Sequence, residues 1–128
     1  MWLADACALI DFYTGDPDCP RTLRSLLETG TPEVAVLATT VWEIAIKTRR
    51  GRLPEIHVPS YATLTAMLED QGYALLPFDH ATAEQAAGLP ALHGDPFDRA
   101  LVAAAQRTGR VVLTSDAAIA AYGVPVRW

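Results

Sequence analysis

The feature that most constrains this chain is a repeated switch of hydrophobic period. Short apolar runs, "MWLA", "EVAVLA", "YALLPF", "VVLTS" and "VPVRW", alternate with helical patterns, "CALIDFY", "TTVWEIAIKTRR", "SYATLTAMLEDQG", "HATAEQAAGLP" and "FDRALVAAAQRT". Parallel strands cannot be joined by a tight turn and need a crossover, which a helix supplies, so this alternation specifies βαβ units. The expected fold is α/β: a central, mostly parallel sheet of four to five strands between two layers of helix. With 128 residues the chain holds one domain, residues 1–128. Apolar residues make up 51% and charged ones 20%, without repeats or low-complexity tracts, which favours a packed core over disorder.

Helix ends are marked in several places. Thr40-Val-Trp-Glu43 fits a capping box, Gly51 follows a last turn rich in Lys and Arg, and Gly109 stops the alanine-rich helix. Asp95 followed by Pro96 is what the start of that helix requires, a capping oxygen and then a residue with no N–H to satisfy. Phe97, Leu101 and Ala104 or Ala105 recur at helical spacing and give it a face to lay on the sheet.

Composition excludes several classes. No apolar run approaches the roughly 20 residues that span a bilayer, and the N-terminal stretch has an early acid where a signal peptide has basic residues, so no membrane association and a cytoplasmic location are expected. Cys7 and Cys19 lack the spacing of a zinc or redox site, and Cys7 reads as packing. His57, His80 and His93 are scattered. A net charge of −5 argues against a simple electrostatic binder of nucleic acid.

The distribution of the acids changes that argument. In parallel sheets ligands bind beyond the carboxyl ends of the strands. Asp5 directly follows the first strand, Glu43 opens the helix after the second, Asp116 follows "VVLTS", and Asp95 and Asp98 start the alanine-rich helix. Each has a structural explanation alone: Asp95 and Asp116 as caps, Asp98 against the helix dipole, Glu43 in its capping box. Together they are costly, because two carboxylates about 4 Å apart repel by roughly 4 kcal/mol at an effective dielectric of about 20. A cation among them would relieve this, and an oxygen-only donor set favours Mg²⁺ or Mn²⁺. Setting these five acids aside leaves ten against ten Lys plus Arg, so the negative balance could belong to the site. Away from it, Lys47, Arg49, Arg50 and Arg52 form a basic cluster that could hold phosphates, or merely complement a helix end.

Four stretches, "LADACALI", "TTVWEIAIKTRRGRL", "HGDPFDRALVAAA" and "VLTSDAAIAAYGVPV", resemble the PIN-domain family, and more narrowly the VapC-type toxins of bacterial type II toxin–antitoxin pairs. The resemblance covers essentially the whole chain. It implies a PIN-like three-layer α/β/α domain and a Mg²⁺- or Mn²⁺-dependent endoribonuclease. The acidic quartet would be Asp5, Glu43, Asp98 and Asp116, with Asp95 the cap beside it. It also implies an RNA substrate such as tRNA, a small cognate antitoxin and a homodimer. One departure stands out: relatives usually carry Thr or Ser directly after the first aspartate, where this chain has Ala6 and then Cys7. Thr114 and Ser115 could supply a hydroxyl from the other side.

In that chemistry Asp5, Asp98 and Asp116 hold one or two ions, which activate water and stabilise charge on the scissile phosphate, while Glu43 orients the water or completes the second ion's shell. Arg99 could neutralise the acids or touch phosphate, but a surface or inter-subunit ion pair is its commoner fate. Two other classes compete. A haloacid-dehalogenase-type phosphotransfer domain wants a second acid where Cys7 stands, and a receiver domain usually wants an adjacent acidic pair early in the chain. A noncatalytic PIN-like RNA- or protein-binding module would typically have lost one or more acids, and all four are present.

Overall fold

The chain alternates strand and helix along most of its length. β1 (Trp2–Ala4) is followed by α1 (Ala6–Tyr13) and α2 (Arg21–Glu28), and β2 (Val34–Leu37) by α3 (Ala38–Arg49) and α4 (Leu64–Asp70). β3 (Ala74–Leu76) leads to α5 (His80–Gly88) and α6 (Pro96–Thr108), β4 (Val111–Leu113) to α7 (Ala117–Ala120), and β5 (Val126–Arg127) closes the sheet. This computed structural model describes residues 1–29, 33–49, 63–92 and 94–128. Gly51, His57 and His93, and the first residues of the "SYATLTAMLEDQG" pattern, lie outside them.

All five strands are parallel, in the order β3-β2-β1-β4-β5. Each strand residue points to one face or the other, so the sheet divides its side chains between two cores. Ala4, Val34, Val36 and Leu113 face Leu9 and Ile10 of α1, Leu23 and Leu27 of α2, Ile44 of α3 and Leu68 of α4. Leu3, Ala35, Leu37 and Val112 face Leu101, Ala104 and Ala105 of α6, Ile119 of α7 and Val124. With both faces covered, the strands are continuous apolar runs, as buried parallel strands are.

Three details differ from the expected pattern. β2 passes into α3 with no intervening loop, so Thr40 is already helical and buried, and Glu43 lies in the second turn. The capping box therefore does not form: Thr40 is inside the helix it was expected to cap, and Glu43 pairs with Lys47 instead. Phe97 is only half-buried and does not join the sheet-facing side of α6, because its ring stands edge-on against Trp42 of α3, with centroids 5.2 Å apart. α2 has no counterpart among the expected elements, although Leu23 and Leu27, four apart and both buried, give it an apolar face. The end signals of α6 hold. Asp95 caps α6 by accepting from the Phe97 and Asp98 amides at 2.8 and 3.3 Å, and Gly109 ends the helix at φ +65°, a left-handed conformation that favours glycine.

This topology places the site. From β1 the chain crosses to β2 on one side, whereas β4 and β5 lie on the other, so the connections diverge at the carboxyl ends of β1 and β4. α6 feeds parallel β4 through a two-residue connection, so its N-terminal turn lies at that same edge.

Candidate metal centre at the carboxyl edge of the sheet

Asp5 leaves β1 and caps α1, its Oδ1 accepting from the Ala6 amide at 2.7 Å. Its Oδ2 accepts from the Thr114 hydroxyl at 2.7 Å and from the Cys7 thiol at 3.3 Å. Thr114 Oγ1 in turn accepts from the Asp116 amide at 3.0 Å, so one buried hydroxyl links the ends of β1 and β4. A hydroxyl from the far side of the site therefore reaches Asp5. Cys7 faces Asp5 and is not simple packing. Burial, and then the Asp5 charge, push its thiol up to about 12, which keeps the sulfur protonated as a donor.

Glu43 and Asp98 come from α3 and α6 and are both buried. Together with Asp95 they bring one carboxylate oxygen each within 4.8 Å of one another. Asp95 thus has two roles, since the residue that caps α6 also belongs to this acidic group. Burial, followed by the charges of Asp95, Asp5, Asp116 and Glu43, raises Asp98 from 3.8 to about 7. Glu43 is also raised, chiefly by burial, although the Lys47 ammonium 2.8 Å from its Oε1 works in the opposite direction. Lys47 is itself raised: burial disfavours its charge, but the bond to Glu43 and the nearby charges of Glu43, Asp5 and Asp95 outweigh that.

The expected residues therefore divide. Glu43 and Asp98 meet, joined by Asp95. Asp5 stands outside this tight group yet close enough for its charge to raise both of them. Asp116 is exposed, caps α7 through the Ala118 amide at 2.8 Å, and acts on Asp98 by charge. Lys47 was expected away from the acids but is paired with one of them. Arg49 closes α3, and Arg50 and Arg52 lie outside the described residues. The Arg99 guanidinium binds the carbonyls of Ala86, Leu89 and Pro90 at 2.9 Å, a role that the sequence did not suggest. The signal for Lys47 was present in the sequence, because residues four apart on a helix are neighbours.

The donors fit a hard divalent cation. They are all carboxylate oxygens, and they converge within coordination reach. Beside them Trp42, Phe78 and Leu92 stay exposed, and Trp42, Phe78 and Phe97 border a groove of about 450 Å³. No helix among the described residues is long and apolar enough to cross a membrane.

Fold and site together define an α/β domain with a carboxylate cluster where its sheet order diverges. The PIN domain family matches residues 3–125, and the chain belongs to that family. Among solved structures, a toxin–antitoxin complex from Klebsiella pneumoniae is similar over 100% of this chain and 97% of its own, at 19% identity and a TM-score of 0.69. FitAB bound to an IR36 DNA fragment is similar over 99% and 94%, at 19% identity and 0.67. FitAcB from Neisseria gonorrhoeae is similar over 98% and 96%, at 18% identity and 0.67. At such identities the likeness is one of fold. No curated protein matches in sequence.

Proposed function

We propose that this PIN domain is a VapC-like toxin: a Mg²⁺- or Mn²⁺-dependent endoribonuclease that cleaves cellular RNA in the cytoplasm and is neutralised by a small antitoxin. The observation that carries this reading is the buried group of Glu43, Asp95 and Asp98, with Asp5 and Asp116 adding their charges around it. In this reading Asp98, Glu43 and Asp5 hold the cation, Asp95 supports them while capping α6, and Asp116 stands at the rim. The metal would supply a water of lowered pKa and neutralise charge on the scissile phosphate.

The remaining work belongs to the side chains. Asp98 surrenders its proton to become a ligand. Thr114 and Cys7 orient Asp5 by donating to Oδ2, and Oδ1, which accepts from the Ala6 amide, keeps a second lone pair for the site. Lys47 offsets part of the cost of burying the Glu43 charge and is proposed to meet a phosphate oxygen. Arg49, Arg50 and Arg52 are proposed as further phosphate contacts.

Protein partners are part of the same reading. Exposed apolar patches on soluble proteins mark interaction surfaces, and exposed Trp42 and Phe78 line one groove with Phe97. A homodimer and an antitoxin are the partners proposed, in keeping with the toxin–antitoxin complex among the structural neighbours.

The test is to incubate the pure protein with total cellular RNA in Mg²⁺, in Mn²⁺ or in EDTA, and to map the cut ends. Cutting that needs metal supports the reading. Cutting in EDTA contradicts it, and no cutting under any condition favours a noncatalytic binding module.

A further inference from the structure

We propose that Arg99 is a positioning residue: it sets Asp95 and Asp98 against Glu43 by fastening the first turn of α6 to the end of α5. This rests on the metal-centre reading above and adds to it the part that holds the centre in shape.

The need for a fastener follows from the end of α5. A helix leaves its last carbonyls without intrahelical partners, and glycine in a left-handed conformation commonly turns the chain back to satisfy them. α5 ends otherwise. Its C-cap is Leu89, at φ −63° and ψ 151°, so the chain departs extended; the Leu89 amide reaches only the Ala86 carbonyl, at 3.4 Å, and the other terminal carbonyls need another donor. Arg99 supplies it from the neighbouring helix. Its Nη2 donates to the carbonyls of Ala86 and Leu89 at 2.9 Å and to that of Ala87 at 3.4 Å. Its Nη1 donates to the Pro90 carbonyl at 2.9 Å and to the Tyr122 hydroxyl at 3.4 Å. A planar fork suits several acceptors at once, and a cation belongs at the negative end of a helix.

The same residue is fixed to the acids through the backbone. The Arg99 amide donates to the Asp95 carbonyl at 3.1 Å, and Asp95 in turn caps the Phe97 and Asp98 amides. Asp95, Asp98 and Arg99 therefore move as one turn. Carboxylates from α3 and α6 repel one another, and the bonds from Arg99 to the end of α5 fix where that turn sits. Small displacements of ligating groups cost large factors in activity, so the clamp acts on function through position.

The experiment compares Arg99→Met and Arg99→Lys with wild type by Mn²⁺ titration calorimetry on the metal-free protein and by RNA cleavage kinetics. Leu27→Ala, in the opposite core, serves as a control for lost stability. Arg99→Met is expected to weaken Mn²⁺ binding tenfold or more and to lower kcat with little change in KM. Arg99→Lys, which can satisfy only part of the acceptor set, should fall between. Leu27→Ala should bind Mn²⁺ as wild type does. Wild-type affinity in folded Arg99→Met, or an equal loss in Leu27→Ala, would overturn the proposal. If Arg99→Met does not fold, wild-type affinity in Arg99→Lys overturns it as well. Wild-type protein that binds no Mn²⁺ refutes the metal centre itself, and the role of Arg99 falls with it.

Discussion

Replacing Asp98 by Asn removes a buried charge that the fold tolerates at a cost, so the metal-free variant is expected to be more stable than the wild type. Asp98 titrates near 7 in the folded protein against 3.8 ordinarily. Between these values the folded protein holds a proton that the unfolded chain has released. Wild-type stability then falls by about 1.4 kcal/mol for each pH unit, because stability declines with pH wherever the native state binds more protons. Above about 7 both states are ionised and the loss levels off at about 4 kcal/mol. Asn keeps the volume and never ionises, so its advantage should begin to grow near pH 4, reach roughly a third of its full extent at pH 5, grow through pH 7 and then remain constant. Glu43, also raised by burial, adds a decline of the same sign in both proteins. Urea unfolding in EDTA at pH 5, 6, 7 and 8 measures this directly. Equal stabilities at pH 8, or an advantage independent of pH, would refute the reasoning.

Three further outcomes follow from the same geometry. Thr114→Val should destabilise the protein by about 1–3 kcal/mol in urea unfolding, because it strips a buried hydroxyl from Asp5 Oδ2 and from the Asp116 amide, whereas Thr114→Ser should retain most of the stability. Lys47→Met should raise the Glu43 titration midpoint further, followed by carboxyl carbon NMR; an unchanged midpoint would show that the 2.8 Å pair does not offset the burial of the Glu43 charge. Gly109→Ala should cost about 1–2 kcal/mol although a methyl there meets no atom within 4 Å, since the penalty comes from φ +65° and not from space; thermal unfolding would register it.

How much was legible can be judged residue by residue. Strand and helix alternation survives translation into a sheet because hydrophobic period is a local property, and Asp95-Pro96 and Gly109 mark α6 because capping is local too. The parallel order then carries Asp5, Glu43 and Asp98 to one edge, as their positions after strands and at helix starts indicated. What the sequence did not disclose depends on contacts between elements. Arg99 serves α5, a different helix, and nothing in "DPFDR" points to the carbonyls of Ala86 or Leu89. Cys7 looks like an apolar filler until Thr114 and Asp5 come together around it. Thr40 and Glu43 matched a capping motif, but the motif presumes a loop that β2 and α3 do not have between them. Asp95 was assigned one role because a capping oxygen explains it fully, and its place beside Glu43 and Asp98 emerges only once α3 and α6 are packed together.

The central claim is that a divalent cation completes the acidic group around Asp98. It is tested most directly by Mn²⁺ titration calorimetry in buffers of different ionisation enthalpy, which counts the protons released on binding. Because a ligand must be deprotonated to bind, and Asp98 is about half protonated at pH 7, binding should expel roughly half a proton at pH 7 and almost none at pH 8.5. Asp98→Asn should abolish both the binding and the release. Absence of Mn²⁺ binding by the wild type, or binding with no proton release at pH 7 that persists in Asp98→Asn, would contradict the account.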